Sequence, residues 1–126
     1  MSDTSSSETL RGKKVLIVED EAFVAFDLMD ALDRVGAEGI GPAMSLEQAS
    51  DIVAQGDADG AILDVSLRGK SIEPFAGALR DKGIPFIFHT GLANLPDMAA
   101  RFPKTPIFPK PAAPDQLVAS LAKVMD

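Results

Sequence analysis

The sequence contains no cysteine, no tryptophan and no tyrosine, and it has a single histidine. Without cysteine there is no disulfide framework, and one histidine cannot build a zinc site of the usual Cys/His kind. These absences favour a reducing compartment. No apolar run reaches the roughly 18 residues that span a bilayer, and no apolar stretch follows a basic N-terminal segment, so we expect neither an anchor nor an export signal. We therefore predict a cytoplasmic protein.

Clustered positive charge is also lacking. The formal net charge is -7, whereas a nucleic-acid-binding surface needs clustered lysine and arginine. We expect no nucleic-acid partner and no membrane partner, and we expect cations or a basic protein surface instead. The 126 residues fit one domain. Residues 1–10 are predicted to be a disordered leader because they are almost devoid of apolar residues, which leaves 11–126 as the folded domain.

Short apolar runs that stop on acidic residues are the main pattern in the sequence. The run Ala61-Ile62-Leu63 precedes Asp64, and the run Val15 to Val18 precedes Glu19 and Asp20. Continuous apolar runs of this length are typical of strands buried on both faces of a parallel sheet. Further strands are predicted at 40–43, 84–89 and 107–108, and helices at 21–35, 45–55, 72–82, 97–102 and 115–125.

Six of the nine prolines lie between Pro96 and Pro114, so the fourth helix is predicted to be short or irregular. Strands that alternate with helices predict an α/β fold with one parallel sheet and right-handed crossovers. We predict the strand order 2-1-3-4-5, because it brings Glu19, Asp20 and Asp64 together at the topological switch point.

Two more functional groups follow strands of this sheet. Thr90 ends the predicted fourth strand and Lys110 follows the fifth. Carboxylates that crowd one edge raise one another's pKa unless a divalent cation is bound. Oxygen ligands without histidine or thiolate favour Mg²⁺, with Mn²⁺ as a substitute. A carboxylate can also be a nucleophile toward phosphorus, while a metal, a lysine and a hydroxyl neutralise the phosphoryl oxygens.

These residues resemble the receiver domains of two-component response regulators. The resemblance covers nearly everything from Lys13 to Asp126, and it is carried by the acidic pair in Val-Glu-Asp-Glu, by Asp64 in Leu-Asp-Val-Ser-Leu, by Thr90 and by the pair Lys110-Pro111. The stretch Pro85 to Gly91 is similar to the Phe-Ala-Thr-Gly subgroup, whose members are often single-domain regulators.

The resemblance implies a flavodoxin-like (βα)5 doubly wound sandwich that acts as a stand-alone signalling phosphoacceptor rather than an enzyme. Asp64 would accept a phosphoryl group from a histidine kinase or a histidine phosphotransfer protein, and the output would pass through protein–protein contacts. The protein would promote its own phosphorylation and slow dephosphorylation. The resemblance also implies that Lys110-Pro111 is a cis peptide bond. The implied Mg²⁺ ligands are Asp20, Asp64 and the Ser66 backbone carbonyl, with Glu19 acting through water; Thr90 and Lys110 would contact the phosphoryl oxygens.

Three positions depart from the usual receiver pattern. Ile107 stands where many receivers carry a switching Tyr or Phe, His89 replaces a small residue, and Ser66 stands where an amide is frequent. With no such ring available, we expect an order change between 91 and 106 to accompany activation. We expect His89 to be a packed or hydrogen-bonded neutral imidazole rather than a metal ligand.

Two other functions compete with this hypothesis. A receiver-like interaction module could have weak or lost phosphotransfer, although the intact set of functional residues argues against it. A phosphatase with an aspartyl-phosphate intermediate carries a second acid two residues after its nucleophile, where this chain has Ser66.

For the fold we expect a loop at 68–71, an inward stripe in the last helix and several core phenylalanines: Leu117, Leu121 and Val124 in the stripe, and Phe23, Phe26, Phe86 and Phe88 in the core.

Overall fold

The structure is a computed structural model, and it describes residues 8–91 and 94–126. The five predicted strands and five predicted helices alternate along the chain, and two additional short strands follow the third of these strands. In chain order they are β1 (Lys14–Val18), α1 (Ala22–Arg34), β2 (Glu38–Ala43), α2 (Leu46–Ala54), β3 (Gly60–Asp64), β4 (Ser66–Leu67), β5 (Lys70–Ser71), α3 (Glu73–Asp81), β6 (Phe86–Thr90), α4 (Leu95–Arg101), β7 (Ile107–Pro109) and α5 (Pro114–Met125).

Five of these strands form one parallel sheet in the order β2-β1-β3-β6-β7. This confirms the predicted flavodoxin-like order 2-1-3-4-5. Because β1 lies beside β3 and β3 beside β6, the residues that follow these strands meet at one edge of the sheet.

Buried side chains on the two faces of the sheet form two separate cores. Leu16, Leu63 and Phe88 pack with α2, α3 and α4 on one face. Ile17 and Ile62 point to the other face, where they pack with α1 and α5. Successive side chains of a strand alternate between faces, so a strand covered on both sides must be apolar throughout.

Local signals explain several element boundaries. The hydroxyl of Ser45 accepts a hydrogen bond from the backbone N–H of Gln48 at 3.2 Å, which is the predicted cap of α2. Gly36 follows α1 with a φ of +82°, a conformation that favours glycine. The short α4 begins in the proline-rich region, as predicted.

The structure corrects the predicted burial of two helices. Phe23 is 88% exposed and Phe26 is 57% exposed, so neither belongs to the core. Instead α1 buries Ala25, Leu28, Ala31 and Leu32, because small alanines let the helix axis lie close to the sheet. In α5, Val124 is also exposed, and Val118 and Ala122 join Leu117 and Leu121 in the buried stripe.

The predicted loop at 68–71 contains the turn of an antiparallel hairpin. Strands β4 and β5 pair across the two-residue turn Arg68-Gly69. Both turn residues have positive φ, +52° for Arg68 and +79° for Gly69, as a two-residue hairpin turn of type I′ requires. Arginine at the first turn position is an unusual choice, which explains why the sequence pattern did not reveal the hairpin.

The N-terminal boundary of the domain also needs correction. Leu10 is fully buried in the core beside α1 and α5, although the prediction placed it in the disordered leader. Residues 1–7 lie outside the described residues, so the disorder predicted for them stays a prediction. None of the helices in the described ranges is long and apolar enough to cross a membrane.

Candidate functional site

The predicted functional residues lie at the carboxyl ends of the parallel strands. Glu19 and Asp20 directly follow β1, and Asp64 is the last residue of β3. Thr90 ends β6, and Lys110 follows β7. The backbone N–H of Lys110 donates to the Thr90 carbonyl at 2.7 Å, and the Lys110-Pro111 bond is cis, as predicted.

The Lys110 ammonium is the centre of a cluster of carboxylates. It donates to Glu19 Oε1 at 3.0 Å, to Asp64 Oδ2 at 3.2 Å and to Glu21 Oε1 at 3.2 Å. Glu19 and Asp64 are buried, while Glu21 is exposed. A single ammonium therefore links the predicted phosphoacceptor to the first acidic residue of the neighbouring strand.

Burial shapes the proton affinities of this cluster. Burial and the nearby Asp64 carboxylate raise the pKa of Glu19 to about 7, against the opposing effect of Lys110. Burial also raises the pKa of Asp64, although the ammonium partly offsets this effect. Burial alone would lower the pKa of Lys110, but its hydrogen bond to Glu19 and the Asp64 charge together raise it. The lysine therefore stays charged and keeps the crowded acids in place.

The acidic residues after β1 can hold a cation. Carboxylate oxygens of Glu19, Asp20 and Glu21 lie within 4.8 Å of one another. A set of carboxylate oxygens suits a hard cation such as Mg²⁺. Asp64 does not belong to that group, but the Lys110 ammonium bonds both Asp64 and Glu19. The carboxylate oxygens of Glu19, Asp20 and Glu21 therefore form a donor set that fits a magnesium ion.

Glu21 is a site residue that the sequence analysis did not assign. It contacts Lys110 and belongs to the same acidic group. Its backbone N–H also donates to the Glu19 carboxylate at 3.2 Å. The signal available in the sequence was the uninterrupted acidic run Glu19-Asp20-Glu21.

Backbone N–H groups hold two of the aspartates in place. The N–H of Ser66 donates to Asp64 Oδ1 at 3.3 Å. The N–H of Arg68, at the tip of the hairpin, donates to Asp20 Oδ2 at 3.0 Å. The hairpin thus ties the segment after Asp64 to the acidic residues after β1.

Thr90 is fully buried, and its hydroxyl donates to the Gly91 carbonyl at 3.3 Å. This hydrogen bond lies within its own chain segment. The structure therefore brings Thr90 to this edge of the sheet, with its hydroxyl bound to the Gly91 carbonyl.

His89 is buried at the same edge of the sheet, in register with Asp64. Its Nε2 accepts a hydrogen bond from the Ala112 N–H at 3.3 Å. Burial and the nearby Lys110 charge lower its pKa to about 4. The structure confirms that His89 is packed and hydrogen-bonded, as predicted.

The exposed phenylalanines of α1 lie close to this site. Phe23 and Phe26 are one helical turn apart, and Asp27 and Asp30 follow them by four residues each, so all four lie on one helix face. Two exposed aromatic rings flanked by acids are unusual for a solvated helix face.

No protein-family model and no curated protein sequence matches the chain. Among solved structures, SdrG from Sphingomonas melonis Fr1 is 36% identical, with 90% of this chain and 97% of that chain covered and a TM-score of 0.75. The REC domain of the PhyR response regulator from Erythrobacter litoralis is 25% identical, with 91% of each chain covered and a TM-score of 0.78. The chain belongs to the response regulator receiver domains.

A second structure of SdrG bears on the activated state of receiver domains. The BeF3-activated conformation of SdrG from Pseudomonas melonis Fr1 is 35% identical, covers 86% of this chain and 95% of that chain, and has a TM-score of 0.71.

Proposed function

We propose that this receiver domain accepts a phosphoryl group on Asp64 from a phosphohistidine donor in a two-component phosphorelay. The observation that carries the proposal is the Lys110 ammonium, which bonds Asp64 and Glu19 at the carboxyl edge of the sheet. The donor is a sensor histidine kinase or a histidine phosphotransfer protein in the cytoplasm. The protein is a signalling phosphoacceptor rather than an enzyme, and it signals through protein–protein contacts.

In the transfer step, an Asp64 carboxylate oxygen attacks phosphorus while the bond between phosphorus and the donor histidine nitrogen breaks. The electron pair of that bond returns to the imidazole, and the product is an acyl phosphate on Asp64. The residues Glu19, Asp20, Asp64 and the Ser66 carbonyl would hold Mg²⁺, with Glu19 acting through water. Magnesium, when bound, neutralises charge on the phosphoryl oxygens.

Two side chains assist the transfer directly. The Lys110 ammonium, which bonds the Asp64 carboxylate before the reaction, binds a phosphoryl oxygen after it. The Thr90 hydroxyl exchanges its hydrogen bond to the Gly91 carbonyl for one to the phosphoryl group. This exchange moves the chain that follows β6.

The decisive experiment is transfer from a radiolabelled phosphohistidine protein. We expect the wild type to become labelled and Asp64→Asn to remain unlabelled, and we expect hydroxylamine to remove the label because it cleaves acyl phosphates. Asp51→Asn is the matched control, because Asp51 is an exposed aspartate on α2, away from the site. Equal labelling of the wild type and Asp64→Asn would refute the phosphoacceptor, and an unlabelled wild type would favour an interaction module without phosphotransfer.

Magnesium binding is tested by titration followed by amide NMR. In the wild type we expect amide shifts around Asp64 with modest affinity, because a few carboxylates and water molecules do not make a closed cage. Asp20→Ala should abolish these shifts. An unchanged titration of Asp20→Ala would overturn the metal assignment.

The α1 face that carries Phe23 and Phe26 is the proposed docking surface for the donor. Its rings and carboxylates would match an apolar patch bordered by lysine or arginine. Changing both phenylalanines to serine should slow transfer from a protein donor and leave phosphorylation by a small acyl phosphate unchanged. Equal slowing with both donors would argue against this docking surface.

A further inference from the structure

His89 occupies a central position beside the phosphoacceptor. It lies in register with Asp64 on β3 and with Phe108 on β7. It is two residues from Ile87, so both side chains lie on the sheet face that packs against α1 and α5. Only 3% of His89 is exposed.

The imidazole makes one specific hydrogen bond, and that bond determines where its proton lies. The backbone N–H of Ala112 donates to Nε2 at 3.3 Å, so Nε2 carries no proton. The neutral ring therefore carries its proton on Nδ1. The buried Nδ1 atom has no hydrogen-bond partner among the described residues.

An unpartnered buried donor costs free energy. An apolar side chain of similar size would avoid that cost if packing were the only requirement at this position. The contact that an apolar side chain could not make is the hydrogen bond from Ala112. The presence of histidine is therefore explained by its effect on the turn that contains Ala112.

That turn carries Lys110. Residues 110–112 are attached to the end of β6 at two points, by the Lys110 N–H on the Thr90 carbonyl and by the Ala112 N–H on His89 Nε2. The two anchors lie on either side of Pro111. Together they fix the direction in which the Lys110 side chain leaves the backbone, and its ammonium reaches Glu19 and Asp64 at 3.0 and 3.2 Å.

We propose that the His89 imidazole is a positioning residue, which holds the turn 110–112 so that the Lys110 ammonium meets the phosphoacceptor carboxylate. The proposal rests on the proposed function of Asp64. His89 does not touch the phosphoryl group and acts only through Lys110. A small side chain at position 89 could not accept the hydrogen bond from Ala112 that holds this turn.

Three variants at position 89 separate this role from packing. His89→Phe keeps a ring but has no acceptor, His89→Ala lacks both, and His89→Gln offers an amide oxygen that can accept the Ala112 N–H. Ile87→Val is the matched control for a mild packing loss on the same strand and the same face. Circular dichroism checks that each variant is folded.

The kinetic readout is phosphorylation by a small acyl phosphate, because it needs no protein donor. We expect His89→Phe to react about 10- to 100-fold more slowly than the wild type, since small misplacements of reacting groups have effects of this size. His89→Gln should recover much of the rate, and Ile87→Val should react like the wild type. In a Lys110→Ala background, His89→Phe should cause no further loss, because the two residues act as one unit.

An NMR readout of the unphosphorylated protein makes the test independent of catalysis. In the wild type, the imidazole nitrogen shifts should show the proton on Nδ1, and the Ala112 amide should exchange slowly. Both the Ala112 amide and the Lys110 ammonium resonance should change in His89→Phe.

A proton on Nε2, or a Lys110 ammonium unchanged by His89→Phe, would overturn the proposal. So would a wild-type rate in His89→Phe, or an equal slowing by His89→Phe in the presence and absence of Lys110. If the wild type accepts no phosphoryl group at all, the proposed function fails, and the NMR comparison still decides whether His89 positions Lys110.

Discussion

Lowering the pH from about 7.5 to about 4.5 should destabilise this protein through His89. The pKa of His89 is lowered to about 4 in the folded protein, from an ordinary value of 6.5. Its surroundings account for the direction: the ring is buried, the Lys110 ammonium opposes a second positive charge, and the Glu21 carboxylate compensates only in part. In the unfolded chain the imidazole is protonated below about pH 6.5, whereas in the folded protein it stays neutral until about pH 4.

The magnitude follows from this difference in proton affinity. The unfolded state binds more protons between these two pH values, so the stability due to neutral His89 is fully present above about pH 6.5 and is lost as the pH falls toward 4. Each tenfold difference in proton affinity corresponds to about 1.4 kcal/mol. We therefore expect the His89 contribution to the free energy of unfolding to fall by about 2.5 kcal/mol between pH 7.5 and pH 4.5.

Glu19 acts in the opposite direction over part of this range. Its pKa is raised to about 7 by burial, so the folded protein gains stability as the pH falls from about 7 toward 4.5. A single pH profile of the wild type therefore mixes the two effects. Because Lys110 bonds Glu19, a change at His89 could also alter the Glu19 pKa, so the comparison of His89 with His89→Phe is made in proteins that both carry Glu19→Gln.

The assay is urea unfolding at several pH values in a magnesium-free buffer. Far-ultraviolet circular dichroism is the suitable probe, because the chain has no tryptophan or tyrosine for fluorescence. With Glu19→Gln in both proteins, we expect the protein that keeps His89 to lose about 2.5 kcal/mol relative to His89→Phe as the pH falls to 4.5. Parallel pH profiles of the two proteins would refute the inference that His89 is buried as a neutral ring.

Three further predictions concern stability and packing, and urea unfolding near neutral pH measures each of them. Leu10→Ala should lower the free energy of unfolding by about 2 to 5 kcal/mol because Leu10 is fully buried; a loss below about 0.5 kcal/mol would show that Leu10 belongs to the N-terminal leader and not to the core. Arg34→Ala should leave the free energy of unfolding nearly unchanged, since its 2.7 Å ion pair with Asp115 is exposed; a clear loss would show that the pair anchors α1 to α5. Phe102→Ala should cost about 3 to 5 kcal/mol, because it removes edge-to-face contacts with Phe86 and Phe88; a neutral effect would place Phe102 outside the core.

The order and the edge of the sheet could be predicted because their signals are local and strong. Short apolar runs that end on acids reveal both the strands and the positions of Glu19, Asp20 and Asp64 along them. The requirement that these acids meet then selects one strand order. Bounds were off by at most two residues, as for β6, which begins at Phe86 rather than at residue 84.

The burial of α1 could not be predicted because two phases of the helix were plausible. Phe23 and Phe26 made one face look the more apolar, but two large rings would hold the helix away from the sheet. Alanines 25 and 31 let Leu28 reach the core, and this advantage of close packing is invisible to a hydrophobicity pattern. The exposed phenylalanines then become a surface feature rather than a packing error.

The site differs from its prediction where backbone geometry decides. The hairpin after Asp64 depends on the positive φ of Arg68, for which the sequence gives no strong signal. The orientation of the Thr90 hydroxyl depends on the Gly91 carbonyl beside it. The order change predicted for 91–106 includes residues 92 and 93, which lie outside the described residues, so it stays a prediction for amide NMR before and after addition of a beryllofluoride phosphate mimic.

Because side chains alternate along β6, neighbouring residues of this strand lie on opposite faces of the sheet. His89 lies on the face that packs against α1 and α5. There its imidazole accepts the N–H of Ala112, in the turn that also contains Lys110. Phe88 and Thr90 belong to the opposite face by the same alternation. There Phe88 packs edge-to-face on Phe102, which ends α4, with ring centroids 5.2 Å apart. If Thr90 moves as proposed, the first neighbours to be affected on its face of the sheet would be the aromatic rings beside α4, whereas α1 packs on the other face. A donor docked on the proposed α1 surface would therefore leave the α4 side of the domain uncovered, so that a second protein could bind there at the same time.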